Sequence, residues 1–265
     1  MNRRPTFPAH LDSTRTPAQG HTTAGARGVG ARVRPLSART LQTTPAAPPQ
    51  GLGLDSAAVR ERMVQRLAAA GITDPAVLAA VRAVERHRFV DTALVNQAYD
   101  DTSLPIGWSQ TISKPSVVAR MLQLLCQGQA PLGRVLEVGT GCGYQAAVLS
   151  HLAREVYSIE RLRALHEKAR ENLRPMRLAH VHLLFGDGMQ GYAAGAPYAG
   201  IIAAAGGEQL PSAWVEQLAL GGRIVAPAMA SQGRQALHVI EKTPHGLQRS
   251  VLEAVHFVPL KSGVA

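Results

Sequence analysis

At 265 residues with 46% apolar content, the chain can bury one large core or two small ones, and it holds no run of about 18 apolar residues to span a bilayer. Its two cysteines, Cys126 and Cys142, form neither a CxxC pair nor a ligand cluster, so a disulfide framework and a metal site lose support and a reducing, cytoplasmic home is expected. The formal net charge of +10 invites a nucleic-acid reading, but aromatic residues are only 4% and much of the charge lies in residues 1–53, where Arg3, Arg4, Arg15, Arg27, Arg32, Arg34 and Arg39 face the single acid Asp12.

Residues 1–53 are rich in Pro, Thr, Ala, Gly and Arg without a sustained period of 3.6 or 2, which predicts a disordered basic tail ahead of a folded domain over 54–265. A helix is expected from an Asp55 or Ser56 cap through Val59, Met63, Leu67 and Ala70 to a stop at Gly71. Asp74-Pro75 opens a second helix with Val77, Leu78, Val81 and Val84 on its buried face. From Tyr99 through Gly107 the chain reads as an irregular surface segment, and Pro115 seats a third helix through Val118, Met121, Leu122 and Leu125. Strands and helices then alternate, the signature of a parallel sheet. The strands are expected at 134–138, 155–159, 181–185, 200–204 and 222–227, with 237–241 and 253–259 as a closing pair, and the helices at 144–152, 162–173 and 211–218.

The segment Arg134–Tyr144, RVLEVGTGCGY, is a short apolar strand, a turn with glycines at alternate positions, and a helix start. Glycine at Gly139, Gly141 and Gly143 permits close approach of a ligand to the main chain at the carboxyl end of the strand. The spacing lacks the Gly-x-Gly-x-x-Gly pattern of a dinucleotide pyrophosphate site. The second strand ends at Glu160, placed to accept from two ribose hydroxyls, and the third leads into Gly186-Asp187-Gly188, where Asp187 suits an adenine amino group. Taken singly these are a packing turn, a solvated acid and an ordinary loop; at the carboxyl ends of three successive strands they point to a nucleoside. Glu137, inside the first strand, needs partners if buried, and the amides of the glycine turn are the expected ones.

Upstream, the run 104–115, LPIGWSQTISKP, crowds hydroxyls and an amide before the third helix. With the glycine turn, Glu160, Gly186-Asp187-Gly188 and the terminal Val258-Pro259-Leu260, the chain from about Ser56 to Ser262 resembles the protein-L-isoaspartate (D-aspartate) O-methyltransferase family. The resemblance implies an α/β, Rossmann-like class I methyltransferase fold: a mostly parallel doubly wound sheet with an antiparallel C-terminal strand, preceded by N-terminal helices. It implies methyl transfer from S-adenosyl-L-methionine to the free carboxylate of L-isoaspartyl and D-aspartyl residues in damaged proteins, whose esters then close to succinimides. Carried over residue by residue, it implies Ser113 as the catalytic residue and Gln110, Thr111, Ile112, Glu137, Gly139, Thr140, Gly141, Gly143, Glu160, Arg161, Gly186, Asp187 and Gly188 around the methyl donor. No metal, no membrane, no stable nucleic-acid partner and a monomer are expected.

A carboxylate is already ionised at neutral pH and needs no base, so Ser113 is expected to orient the acceptor rather than activate it. The competing reading makes Ser113 only the cap of the helix at Pro115. Departures from the family pattern are Ser109, where glycine is usual; Ala199 and Ala204, where polar residues are usual, which bears on acceptor range; and His256, where Arg is frequent and a core or edge position is expected. Two alternatives remain at this level: another methyl acceptor, or a non-catalytic protein that retains the fold.

Overall fold

The computed structural model describes residues 57–230 and 233–265; the expected tail over 1–53 and the Asp55 or Ser56 cap lie outside the described residues. Helix α1 (Ala57–Ala69) buries Met63, Val64 and Leu67, and Val64 takes the inward place expected of Ala70, which is exposed. It stops at Gly71, whose φ of +99° lets the amides of Gly71 and Ile72 reach back to the carbonyls of Ala68 and Leu67. Helix α2 (Pro75–Ala83) is capped by the Asp74 carboxylate, which accepts from the amides of Ala76 and Val77. Val77, Ala80, Val81 and Val84 are buried, while Leu78 is only half-buried. Short 3-10 turns at Arg86–Phe89 and Thr92–Gln97 follow.

The segment expected to be irregular ends in strand β1 (Leu104–Gly107), which pairs with β2 (Gln110–Ile112) just beyond it in an antiparallel hairpin. Pro105 and Gly107 hide its strand character, yet Leu104, Ile106 and Ile112 alternate inward. Its two turn residues, Trp108 and Ser109, both adopt left-handed angles, φ +50° and +56°, at positions where hairpins favour Asn and Gly. Helix α3 (Pro115–Cys126) packs Val118, Met121, Leu122 and Leu125 against the sheet as expected. Its N-cap position is Lys114, and the capping is done from outside, by Asp101, which accepts from both the amide and the hydroxyl of Ser116 at 2.8 Å. The reading of Ser113 as the helix cap therefore fails.

The remainder is β3 (Leu132–Val138), α4 (Tyr144–Leu149), β4 (Ala153–Glu160), α5 (Arg163–Leu173), β5 (Val181–Phe185), β6 (Tyr198–Ala203), α6 (Ser212–Gln217), β7 (Leu218–Met229), β8 (Gln235–Thr243) and β9 (Gly246–Ala254). They form one seven-stranded sheet in the order β5-β4-β3-β6-β7-β8-β9, parallel from β5 to β7 and antiparallel from β7 to β9. The chain winds outward from β3 to β5 and then returns past β3 to β6, so the winding reverses beside β3, where a crevice opens at the carboxyl ends. One apolar layer lies between the sheet and α1–α4, and a second surrounds Trp214 on the opposite face. Among the described residues no helix is long and apolar enough to cross a membrane.

The last strand corrects the expectation of 253–259. The turn at Gly246, φ +120°, folds β9 back on β8 at once, and β9 is exposed along most of its length, so no inward alternation marks it in the sequence. The apolar Val255–Leu260 stretch instead leaves the sheet edge and crosses the crevice, where Pro259 bridges to Gly206.

Gly200 in β6 sits beneath α3, and a Cβ there would stand 2.9 Å from Leu125 Cδ1. Gly200→Ala is expected to lower stability by about 1–3 kcal/mol through overpacking. Urea unfolding reads this directly; parental stability would mean that Leu125 swings aside without cost.

Candidate active site

The glycine turn after β3 takes its shape from three left-handed glycines, Gly139 (φ +90°), Gly141 (φ +57°) and Gly143 (φ +91°). Its amides reach across to the neighbouring strand: Gly139 N–H donates to Ile159 O at 2.9 Å, and Gly141 N–H to Glu160 Oε2 at 2.9 Å. The other oxygen of Glu160 accepts the Leu162 amide at 2.9 Å, and the side chain is buried. A carboxylate oxygen accepts two hydrogen bonds, so each oxygen of Glu160 keeps one acceptor position. From α5, Asn172 Nδ2 holds the Cys142 carbonyl at 2.9 Å.

Glu137 lies fully buried below this turn, and its partners are not the loop amides that the sequence suggests. Those amides are spent on Ile159 and Glu160, because the turn folds over the end of β4. The Ser158 hydroxyl donates to Glu137 Oε2 and also meets the Thr140 hydroxyl at 2.7 Å. Glu137 Oε1 and Gln145 Nε2 are buried without hydrogen-bond partners. Burial pushes the Glu137 carboxyl up to about 8, opposed by Ser158 and Gln145 and reinforced by the charge of Glu160.

A cavity of about 430 Å³ opens above the turn, within the range of small-molecule sites. It brings together Gln110, Thr111, Ile112 and Ser113 from the hairpin, Gly139, Thr140 and Gly141 from the turn, and Glu160, Arg161 and Gly188. Four other candidates do not line it. Glu137 and Gly143 support the turn from below, and a Cβ on Gly143 would press on Leu173 at 3.0 Å. Gly186 and Asp187 stand to one side, and the Asp187 carboxylate is engaged by the amides of Met189 at 2.9 Å and Gly263 at 2.8 Å. The C-terminal residues thus strap this end of the site, since Arg161 Nε also donates to Gly263 O and the Arg163 amide to Ala265 O.

Several lining residues were not singled out in the sequence: Trp108, Tyr144, Gln145, Leu162 and Lys261. Tyr144 and Leu162 stand beside motif residues, so adjacency was their only signal. Val258, Pro259 and Leu260, which carry part of the family resemblance, arrive from far along the chain and line the cavity beside Lys261. Ala204 lines this cavity, whereas Ala199 sits near the start of β6, away from the carboxyl ends, so only one of the two altered fourth-strand positions faces the site. His256 is exposed on a separate groove of about 1060 Å³, which also contains Lys114, Arg120, Gln235 and Glu253.

Among the described residues Ser113 is the one that borders both the cavity and the groove. Among the described residues its hydroxyl has no protein hydrogen-bond partner, while its carbonyl accepts from Arg86 Nη2 at 2.7 Å. The arrangement can hold a nucleoside-bearing ligand on one side of Ser113 and a polymeric or extended ligand on the other. Among the described residues no group of three His, Cys, Asp or Glu side chains is arranged to hold a metal ion.

Residues 58–265 match the family described as Protein-L-isoaspartate(D-aspartate) O-methyltransferase. The chain is 56% identical over 264 residues to a Methylibium petroleiphilum protein named Protein-L-isoaspartate O-methyltransferase, covering 98% of this chain and 96% of that one. It is 54% identical over 272 residues to a Leptothrix cholodnii protein of the same name, covering 99% and 96%. A solved protein-L-isoaspartate O-methyltransferase aligns with TM-score 0.70 at 26% identity over 77% of this chain and 67% of its own. A putative one from Plasmodium falciparum, in complex with S-adenosyl-L-homocysteine, aligns with TM-score 0.68 over 76% and 98%; at 24% identity it supports the fold alone.

The buried Glu137 makes a pH prediction. Its ordinary value is 4.5 and its folded value about 8, so between these the folded protein retains a proton that the unfolded chain releases. The stability it contributes is present below pH 4.5 and is lost as pH rises to about 8. Glu137→Gln cannot ionise, so it should melt near the parent at pH 4.5 and higher by about 3 °C or more at pH 8. A constant difference across that range would show that Glu137 does not titrate as its burial requires.

Proposed function

The chain belongs to the protein-L-isoaspartate(D-aspartate) O-methyltransferase family, and from that premise we propose how its own residues carry out the reaction. It is an S-adenosylmethionine-dependent enzyme that methylates the free carboxylate of isoaspartyl residues in damaged proteins. When bound, S-adenosylmethionine supplies a methyl group activated by a sulfonium sulfur. The residues fit it: left-handed glycines clear the floor of the cavity, and Glu160 keeps acceptor positions for a ribose diol. Gln110, Thr111, Ile112 and Arg161 form the walls, and Gly188 closes the end of the cavity toward Asp187.

The observation that carries the catalytic reading is the position of Ser113 between the cavity and the groove. The cavity would hold the donor and the groove the isoaspartyl chain. The Ser113 hydroxyl would donate to one carboxylate oxygen and leave the other facing the cavity, where the bound donor would supply the methyl group as its carbon–sulfur bond gives way to the new carbon–oxygen bond. No proton has to be removed from a carboxylate that is already ionised. The methyl ester then leaves the site, and the next backbone amide nitrogen closes on it to a succinimide with loss of methanol.

The same proposal makes this a cytoplasmic enzyme of proteins rather than nucleic acids. Both cysteines are buried and unpaired, which suits a reducing compartment. Two cations of the groove are matched by acids, Lys114 by Asp101 at 3.9 Å and Arg120 by Glu253 at 2.9 Å, unlike an uncompensated phosphate-binding stripe. The catalytic domain begins near residue 54, just before the family match opens at residue 58.

A radiolabelled methyl-transfer assay should label an isoaspartyl peptide and leave its aspartyl twin unlabelled. Ser113→Ala should slow initial transfer about 10- to 100-fold, with S-adenosylmethionine affinity unchanged by calorimetry. A folded variant at the parental rate would remove Ser113 from the mechanism.

A further inference from the structure

A charged side chain behind the active-site hairpin has no part in the chemistry above. Arg86 is 0% exposed. It donates through Nε to Ala98 O at 2.8 Å and through Nη2 to Ser113 O at 2.7 Å, and its guanidinium carbon lies 4.8 Å from the centroid of the Tyr144 ring. Among the described residues it hydrogen-bonds to no carboxylate, and Nη1 is buried without a partner. Two neutral carbonyls and a ring face offset only part of the desolvation cost of a guanidinium, which stays protonated in proteins. As a core residue alone, an apolar side chain would serve at least as well.

What the guanidinium touches is more informative than its cost. Ser113 follows the last residue of β2 and precedes the Lys114 cap of α3, so neither the hairpin ladder nor the helix fixes its carbonyl. Ala98 closes the second 3-10 turn, and Tyr144 opens α4 directly after the glycine turn. One planar fork therefore connects the acceptor side of the site to the donor side. On the far side of the hairpin Lys168 Nζ holds Ile106 O at 3.0 Å, so the hairpin is gripped by a cation at each flank.

We propose that Arg86 is a positioning residue for methyl transfer: it fixes the backbone of Ser113 so that the hydroxyl stands at the junction of cavity and groove. This rests on the role given to Ser113 above. Lysine cannot replace it, because an ammonium lacks the rigid fork that meets two carbonyls while its face covers a ring.

The test is a double-mutant cycle on the full chain with an isoaspartyl peptide, measuring kcat, peptide KM, S-adenosylmethionine affinity by calorimetry and the melting temperature. Arg86→Lys should lower kcat about tenfold or more, leave peptide KM and donor affinity within about threefold, and cause little further loss when added to Ser113→Ala. Arg86→Met should show the same pattern; should it not fold, the Lys variant still decides. The proposal is overturned if Arg86→Lys keeps the parental kcat, if its loss multiplies with that of Ser113→Ala, or if donor affinity falls in step with kcat. A fully active Ser113→Ala would overturn the role of Ser113 itself, whereas a slow Ser113→Ala beside a fast Arg86→Lys would overturn only the role of Arg86.

Discussion

The site depends on the carboxylate of Glu160, which ties the glycine turn after β3 to the start of α5. It accepts the Gly141 amide from the turn after β3 and the Leu162 amide from the start of α5. A buried carboxylate is tolerable only when hydrogen bonds compensate its lost hydration, and two main-chain donors do so here. The consequence is geometric: the glycine turn is tied to Glu160 on one side and to Asn172 on the other, at the floor of the cavity. Acceptor positions left on Glu160 then face the cavity, so one side chain both builds the floor and presents binding capacity.

The acceptor side is assembled differently. The hairpin from Leu104 to Ile112 makes its own ladder with only one strand partner, so its place above the turn has to come from outside contacts. Ile106 packs near Gly141, where a Cβ would meet it at 3.2 Å, and Arg86 and Lys168 hold carbonyls at either flank. The turn residues Trp108 and Ser109 carry left-handed angles without glycine, a local strain that the anchoring contacts sustain. Ser113 is thus placed by contacts distant in sequence, and its neighbours on either side belong to two different surfaces.

Reading the sequence recovered β3, β4, β5 and the helices between them because β3 and β4 are largely buried, the half-buried β5 keeps an apolar run of strand length, and α5 buries one face at helical spacing. It missed the hairpin, since proline and glycine within β1 mask a two-residue period, and it misplaced β9, since an exposed edge strand carries no apolar alternation. It found Glu137 but assigned the wrong partners: a turn that closes on its neighbour strand looks identical in sequence to one that closes on its own.

The sequence by itself determined the glycine turn after β3, the acid at the end of β4 and, through the Gln110–Ser113 element, the family to which the protein belongs. Those signals are local: glycines whose angles the turn demands, an acid at a strand end, and hydroxyls placed before a helix. Only the tertiary structure decided that Ser113 stands between two cavities and does not cap α3, that Asp101 does the capping, and that the C-terminal residues engage Asp187. It alone also revealed Arg86 beneath Ser113. These are contacts between residues separated by 15 to 76 positions, as in Ser116 with Asp101 and Gly263 with Asp187. Such pairs are selected by how packed layers meet, and nothing in either residue's local sequence records its partner.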